Sequence, residues 1–97
     1  MTARLAIVDD DPAFAEFLRI FLRMRDYLVT VYESGAAFLD AIGAGEPPPH
    51  VVLLDIGMPD PDGIETLRML RSPHPTVQAI MLSGRQTPAT IVEAIRL

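Results

Sequence analysis

The run Val51-Val52-Leu53-Leu54 has no polar residue and no alternation, and it lies in the middle of the chain. A strand with one wet face alternates apolar and polar residues; an unbroken apolar run means that both faces are covered. Such a strand belongs inside a sheet with helices above and below. No other segment constrains the fold as strongly. The run ends on a carboxylate, Asp55, and a turn rich in Gly, Pro and Asp, "IGMPDPDG", follows at once. A second segment, "LAIVDDDP" from Leu5 to Pro12, also leads an apolar run into acids.

The flanking pattern supplies the partners of that strand. Arg4–Val8 and the β-branched, aromatic "LVTVY", Leu28–Tyr32, read as strands. Between them Asp11 is a suitable helix N-cap with Pro12 at the first helical position. Phe14, Phe17, Leu18, Phe21 and Leu22 recur at helical spacing, which predicts the phenylalanines in the core and Glu16, Arg19 and Arg23 on solvated faces. Ser34 can cap a second helix with Phe38, Ala41 and Ile42 on one side, ended by the stiff connector "GAGEPPPH", Gly43 to His50. Asp62 and Glu65 form a capping-box pattern for a third helix with Ile64, Leu67 and Leu70 inward, and "SPHP", Ser72 to Pro75, stops it. Val77–Leu82 is a fourth strand, and Thr87 and Pro88 open a fourth helix with Ile91, Ala94 and Ile95 on one face.

Strand and helix thus alternate. Short helical crossovers between strands make a parallel sheet with helices on both faces, an α/β fold. At 97 residues the chain makes one domain. In such sheets ligands bind beyond the carboxyl ends of the strands. The first and third strands both deliver acids to that edge.

Composition removes several functions. Thirteen acidic residues against eight basic ones give a net charge of −5, which opposes binding to nucleic acid or an anionic membrane through this domain. There is no cysteine, hence no disulfide and no thiolate metal site. No apolar run approaches the ~20 residues of a membrane span, and the N-terminus does not read as a signal peptide. The expected location is cytoplasmic.

Asp9, Asp10 and Asp55 are therefore the chemical centre of the sequence. Two like charges about 4 Å apart repel by about 4 kcal/mol at an effective dielectric near 20. Three carboxylates brought together must take up protons or hold a cation. Hard oxygen donors without His or Cys favour Mg²⁺. A divalent ion there would in turn favour a phosphate-like anion, and one carboxylate could serve as the nucleophile that forms an acyl phosphate. The fourth strand adds Ser83, a hydroxyl that can donate to a phosphoryl oxygen, and Gly84, which leaves room beside it. Asp11 reads as a cap and Asp60 as a turn former. His50 and His74, distant from the acidic edge, read as structural or solvent-facing.

With these residues in view, the chain resembles the receiver domain of bacterial two-component response regulators. The resemblance rests on "IVDDDP" after the first strand, "LLDIGMPDPDG" after the third and "IMLSG" after the fourth. It implies a flavodoxin-like sheet, here in the order 2-1-3-4, with Asp55 as phosphoacceptor. Asp10 would bind Mg²⁺ directly, Asp9 directly or through water, and Gly57 through its backbone carbonyl. Ser83 would be the switch hydroxyl and Gly84 the small residue of the phosphoryl pocket. A sensor histidine kinase would donate the phosphoryl group, and an output domain or downstream protein would read it. The domain would be a signalling switch that assists its own phosphotransfer and dephosphorylation, not an enzyme with an external substrate. Gly57 and Arg85, two residues beyond Asp55 and Ser83, stand where members of the family vary and would tune the lifetime of the acyl phosphate.

The family pattern has five strand–helix units, and the chain matches four. Strand five carries the family's lysine, and this sequence contains no lysine. The chain therefore reads as a receiver lacking its fifth strand and helix, with "VQAIML" as an open sheet edge through which copies would self-associate. Two rival readings follow. One is a receiver-like structural or dimerisation module that is not phosphorylated in this form. The other is a phosphohydrolase similar to the haloacid dehalogenases, with Asp9 as nucleophile, Asp11 completing an Asp-x-Asp pattern and Ser83 as its strand-end hydroxyl. A flavodoxin-type cofactor site fits poorly, because the acidic first loop would repel a phosphate.

Overall fold

The computed structural model describes residues 2–83 together with Pro88, Ala89 and Ile91. Seven elements follow one another: β1 (Arg4–Val8), α1 (Pro12–Arg23), β2 (Leu28–Tyr32), α2 (Gly35–Gly43), β3 (Val51–Asp55), α3 (Gly63–Arg71) and β4 (Gln78–Leu82). All strand pairs are parallel, and the order is β2-β1-β3-β4. β3, the unbroken apolar run, is interior, and Val51 to Leu54 are all buried. β2 and β4 are the edges of this sheet.

Alternation along each strand divides the core into two layers. Leu5, Ile7, Val51, Leu53 and Leu82 face Ala15, Leu18 and Leu22 of α1, and Ile91 is buried in the same layer. Ala6, Val8, Val52 and Leu54 face Phe38 of α2 and Leu70 of α3. Right-handed crossovers require this division, since β1 to β2 runs one way across the sheet and β2 to β3 to β4 the other. Pro88, Ala89 and Ile91 have helical backbone, as expected; Thr87, Ala94 and Ile95 lie outside the described residues.

The caps are those expected. Asp11 Oδ1 accepts the N–H groups of Ala13 and Phe14, Ser34 Oγ accepts that of Ala37, and Asp62 with Glu65 closes a capping box.

Two inward assignments fail. Phe17 is 56% exposed and Ile64 is 53% exposed. The buried line of α1 is Ala15-Leu18-Leu22, and that of α3 is Gly63-Thr66-Leu70. At about 100° per residue, Phe17 and Ile64 each lie roughly 130° from the centre of that line. Small residues let each helix lie close to its neighbours, and this selects a narrower strip than a count of apolar positions does. Phe14 and Phe21 flank the strip of α1 and are half-buried.

Candidate functional site

Register brings the acids together. Val8 pairs with Leu54, so the next residues, Asp9 and Asp55, stand side by side where neighbouring strands are about 4.8 Å apart. The ladder continues past the strand ends, with Asp9 N–H donating to Tyr32 O (3.1 Å) and Ile56 N–H to Leu82 O (3.0 Å). Both aspartates are thus fixed by sheet hydrogen bonds rather than by a free loop. Their parity matches Ile7 and Leu53, which places them on the face that α1 covers. Asp10 joins from the turn, and Asp9, Asp10 and Asp55 each offer a carboxylate oxygen within 4.8 Å of the other two.

The three differ in environment. Asp9 is buried at 6% exposure, Asp55 is half-buried and Asp10 is exposed. Asp9 Oδ1 accepts the N–H of Asp11 (2.8 Å), and Asp55 Oδ1 accepts the N–H of Gly57 (3.0 Å). Burial pushes the Asp9 carboxyl up to about 6; the Asp11 N–H opposes this, and the charges of Asp55, Asp10 and Asp11 add to it.

The loop after β3 is held by two residues whose purpose the sequence does not announce. Met58 is buried in the layer beneath α2 and α3 and anchors the loop. A Cβ at Gly63 would collide with the backbone oxygen of Asp55 and sit 3.0 Å from its carbonyl carbon. The start of α3 therefore rests directly on the backbone of Asp55. Gly57 is exposed beside Asp55, and Ser83 is exposed immediately after β4 at the same edge. Gly84 and Arg85 lie outside the described residues. Asp11, the second acid of the Asp-x-Asp pattern in the phosphohydrolase reading, has one carboxylate oxygen engaged as the cap of α1.

Asp9, Asp11, Asp55, Phe14 and Leu82 line a cleft of about 190 Å³, which gives the acidic centre an apolar wall. A roomier depression of about 430 Å³ opens at the opposite edge, between Arg4, the prolines 48 and 49, His50, His74 and Gln78. It has no carboxylate. His50 is structural there, its Nδ1 accepting the N–H of Arg4 (2.8 Å). The chemistry belongs to the smaller, acidic cleft. Sequence reasoning did not reach Phe14 and Leu82 as its wall, although their strand parity and first-turn position carry the signal.

The structure is a parallel α/β sheet of the flavodoxin-like class with three convergent carboxylates at the carboxyl ends of β1 and β3. The family profile described as the response regulator receiver domain matches residues 5–97, and the chain belongs to that family, the receivers of two-component systems. Transcriptional regulatory protein KdpE of Mycobacterium tuberculosis is 42% identical over 89 residues, which is 92% of this chain and 38% of that protein. The chain thus spans less than half the length of that curated relative. Among solved structures, a CheY-like receiver domain protein of Methanospirillum hungatei superposes with a TM-score of 0.79 at 26% identity, covering 98% of this chain and 74% of the other. The BeF3-activated receiver domain of DrrB gives 0.75 at 28% identity, covering 96% and 75%. No helix among the described residues is long and apolar enough to cross a membrane.

Proposed function

We propose that this chain, 1–97 as one receiver unit, is a phosphorylation-dependent switch that accepts a phosphoryl group on Asp55 from a sensor histidine kinase. The observation that carries the reading is the convergence of Asp9, Asp10 and Asp55, with Asp55 as the last residue of the central strand. In this reading an Asp55 carboxylate oxygen attacks the phosphorus of a phosphohistidine. The P–N bond breaks, its electron pair returns to the imidazole, and the aspartyl acyl phosphate remains. The Gly57 N–H donates to Asp55 Oδ1 and orients the carboxylate, and the start of α3 rests on the strand end at Gly63.

The residues fit Mg²⁺. The donors are hard oxygens, and three carboxylates lie within reach of one ion, with the charges of Asp55 and Asp10 helping to push the buried Asp9 carboxyl up to about 6. Asp9, Asp10 and Asp55, with the Gly57 carbonyl, would hold the ion. When bound, it would neutralise the carboxylates and the incoming phosphoryl oxygens. Ser83 is positioned by sequence to donate its hydroxyl to the phosphoryl group, with Gly84 beside it. An output domain or a downstream protein outside these residues would read the phosphorylated state.

The test is the intact mass of the purified chain after incubation with Mg²⁺ and acetyl phosphate. A gain of one phosphoryl group that disappears in Asp55→Asn is expected. A gain that survives that substitution would transfer the role to Asp9 and the phosphohydrolase reading.

A further inference from the structure

We infer that Phe14 is a positioning residue that sets the lifetime of the acyl phosphate by keeping water from it; the inference rests on the proposed function. The argument begins with α1. Its N-cap is Asp11, so Phe14 is the third residue of the first turn. Helical side chains lean toward the N-terminus, which directs this ring back over the β1–α1 turn that carries Asp9 to Asp11. Strand parity places Asp9, Asp55 and Leu82 on the same face of the sheet as α1. The consequence is visible in the cleft lining, where Phe14 and Leu82 join Asp9, Asp11 and Asp55.

Leu82 is buried and fixed by β4. Phe14 is half-buried, packed on the α1 layer of the core, and lines the cleft. Among the described residues that line the cleft, Phe14 and Leu82 are the apolar ones, and the ring is the larger and the more solvent-exposed of the two. Loss of the phosphoryl group requires water there. The water oxygen attacks phosphorus, the bond from phosphorus to the Asp55 oxygen breaks, and the carboxylate leaves with the electron pair. Inorganic phosphate forms and one proton goes to solvent. An apolar wall gives an attacking water no hydrogen-bond partner, so the ring lowers its occupancy without touching the transferred group. Phe17, three positions further along the same helix, points to solvent and provides the matched control.

The experiment uses the purified chain charged with acetyl phosphate and Mg²⁺, freed of donor, and followed by intact mass. Phe14→Leu, Phe14→Val and Phe14→Ala are compared with Phe17→Ala and the parent chain. The decay rate is expected to rise as the side chain shortens, by roughly three- to tenfold for Phe14→Ala, while Phe17→Ala decays like the parent. If the alanine variant does not fold, the order of parent, leucine and valine decides. Equal decay rates across that series overturn the inference and leave Asp55 as phosphoacceptor intact. Acceleration of the same size in Phe17→Ala also overturns it, because loosening of α1 would then be the cause. A parent chain that gains no mass overturns this inference together with the proposed function.

Discussion

Replacing Asp9 by Asn should stabilise the metal-free protein while removing its affinity for a divalent ion. The Asp9 carboxyl is pushed from 3.8 up to about 6, chiefly by burial and secondarily by the charges of Asp55, Asp10 and Asp11. Between those values the folded chain holds a proton that the unfolded chain has released. Stability therefore falls as pH rises through that window. Above pH 6 the whole penalty stands, and below pH 3.8 both states are protonated and it vanishes. Taken at face value the shift amounts to about 3 kcal/mol; screening at the solvent-open rim of the cleft reduces this to about 1–2 kcal/mol. Asn is nearly isosteric, and its Oδ1 can still accept the Asp11 N–H that Asp9 accepts at 2.8 Å. Urea unfolding in EDTA at pH 7.5 should show Asp9→Asn more stable by about 1–2 kcal/mol, or about 4–16 °C in Tm for a domain of this size. The gain should shrink to nearly nothing at pH 4. Saturating Mg²⁺ should raise the Tm of the parent chain and leave that of the variant almost unmoved. A variant no more stable than its parent at pH 7.5, or a gain of equal size at pH 4, would refute the electrostatic account.

Two further substitutions test the frame around the site. Gly63→Ala sets a Cβ against the backbone of Asp55, so unfolding should show a loss of about 1–3 kcal/mol, with phosphoryl uptake slowed because the strand end itself must move. Asp62→Ala removes the acceptor for the Glu65 N–H (2.8 Å) and opens the capping box; a loss of about 1 kcal/mol in urea is expected, with uptake at Asp55 unchanged.

The sequence made the fold legible because its signals agree with one another. The apolar run of β3, the caps at Asp11, Ser34 and Asp62, and the alternation of strand and helix all point to one parallel sheet, and the observed order 2-1-3-4 is the one the receiver resemblance implies. Asp9, Asp10 and Asp55 were legible as a group, because strands that end in acids at one sheet edge leave them nowhere else to go. The orientation of helices was less legible. Phe17 and Ile64 carry a strong apolar signal, but Ala15, Gly63 and Thr66 decide which side of each helix approaches its neighbours. Close approach depends on what a residue lacks, and hydrophobic periodicity does not register that. The apolar wall of the cleft was hidden for a related reason: Phe14 reads as core in a helical pattern, and its place in the first turn of α1, on the sheet face that carries Asp55, brings it to the same cleft.

The pairing of Val8 with Leu54 has a consequence for how such a pocket arises and fails. Asp9 and Asp55 meet because two adjacent strands end on the same rung, not because a loop was shaped to collect them. Side chains alternate with a period of two, so a slip of one residue between these strands would send the two carboxylates to opposite faces of the sheet. Affinity for a divalent ion, where the proposed site holds one, would therefore be a readout of correct strand alignment, available before any partner is known.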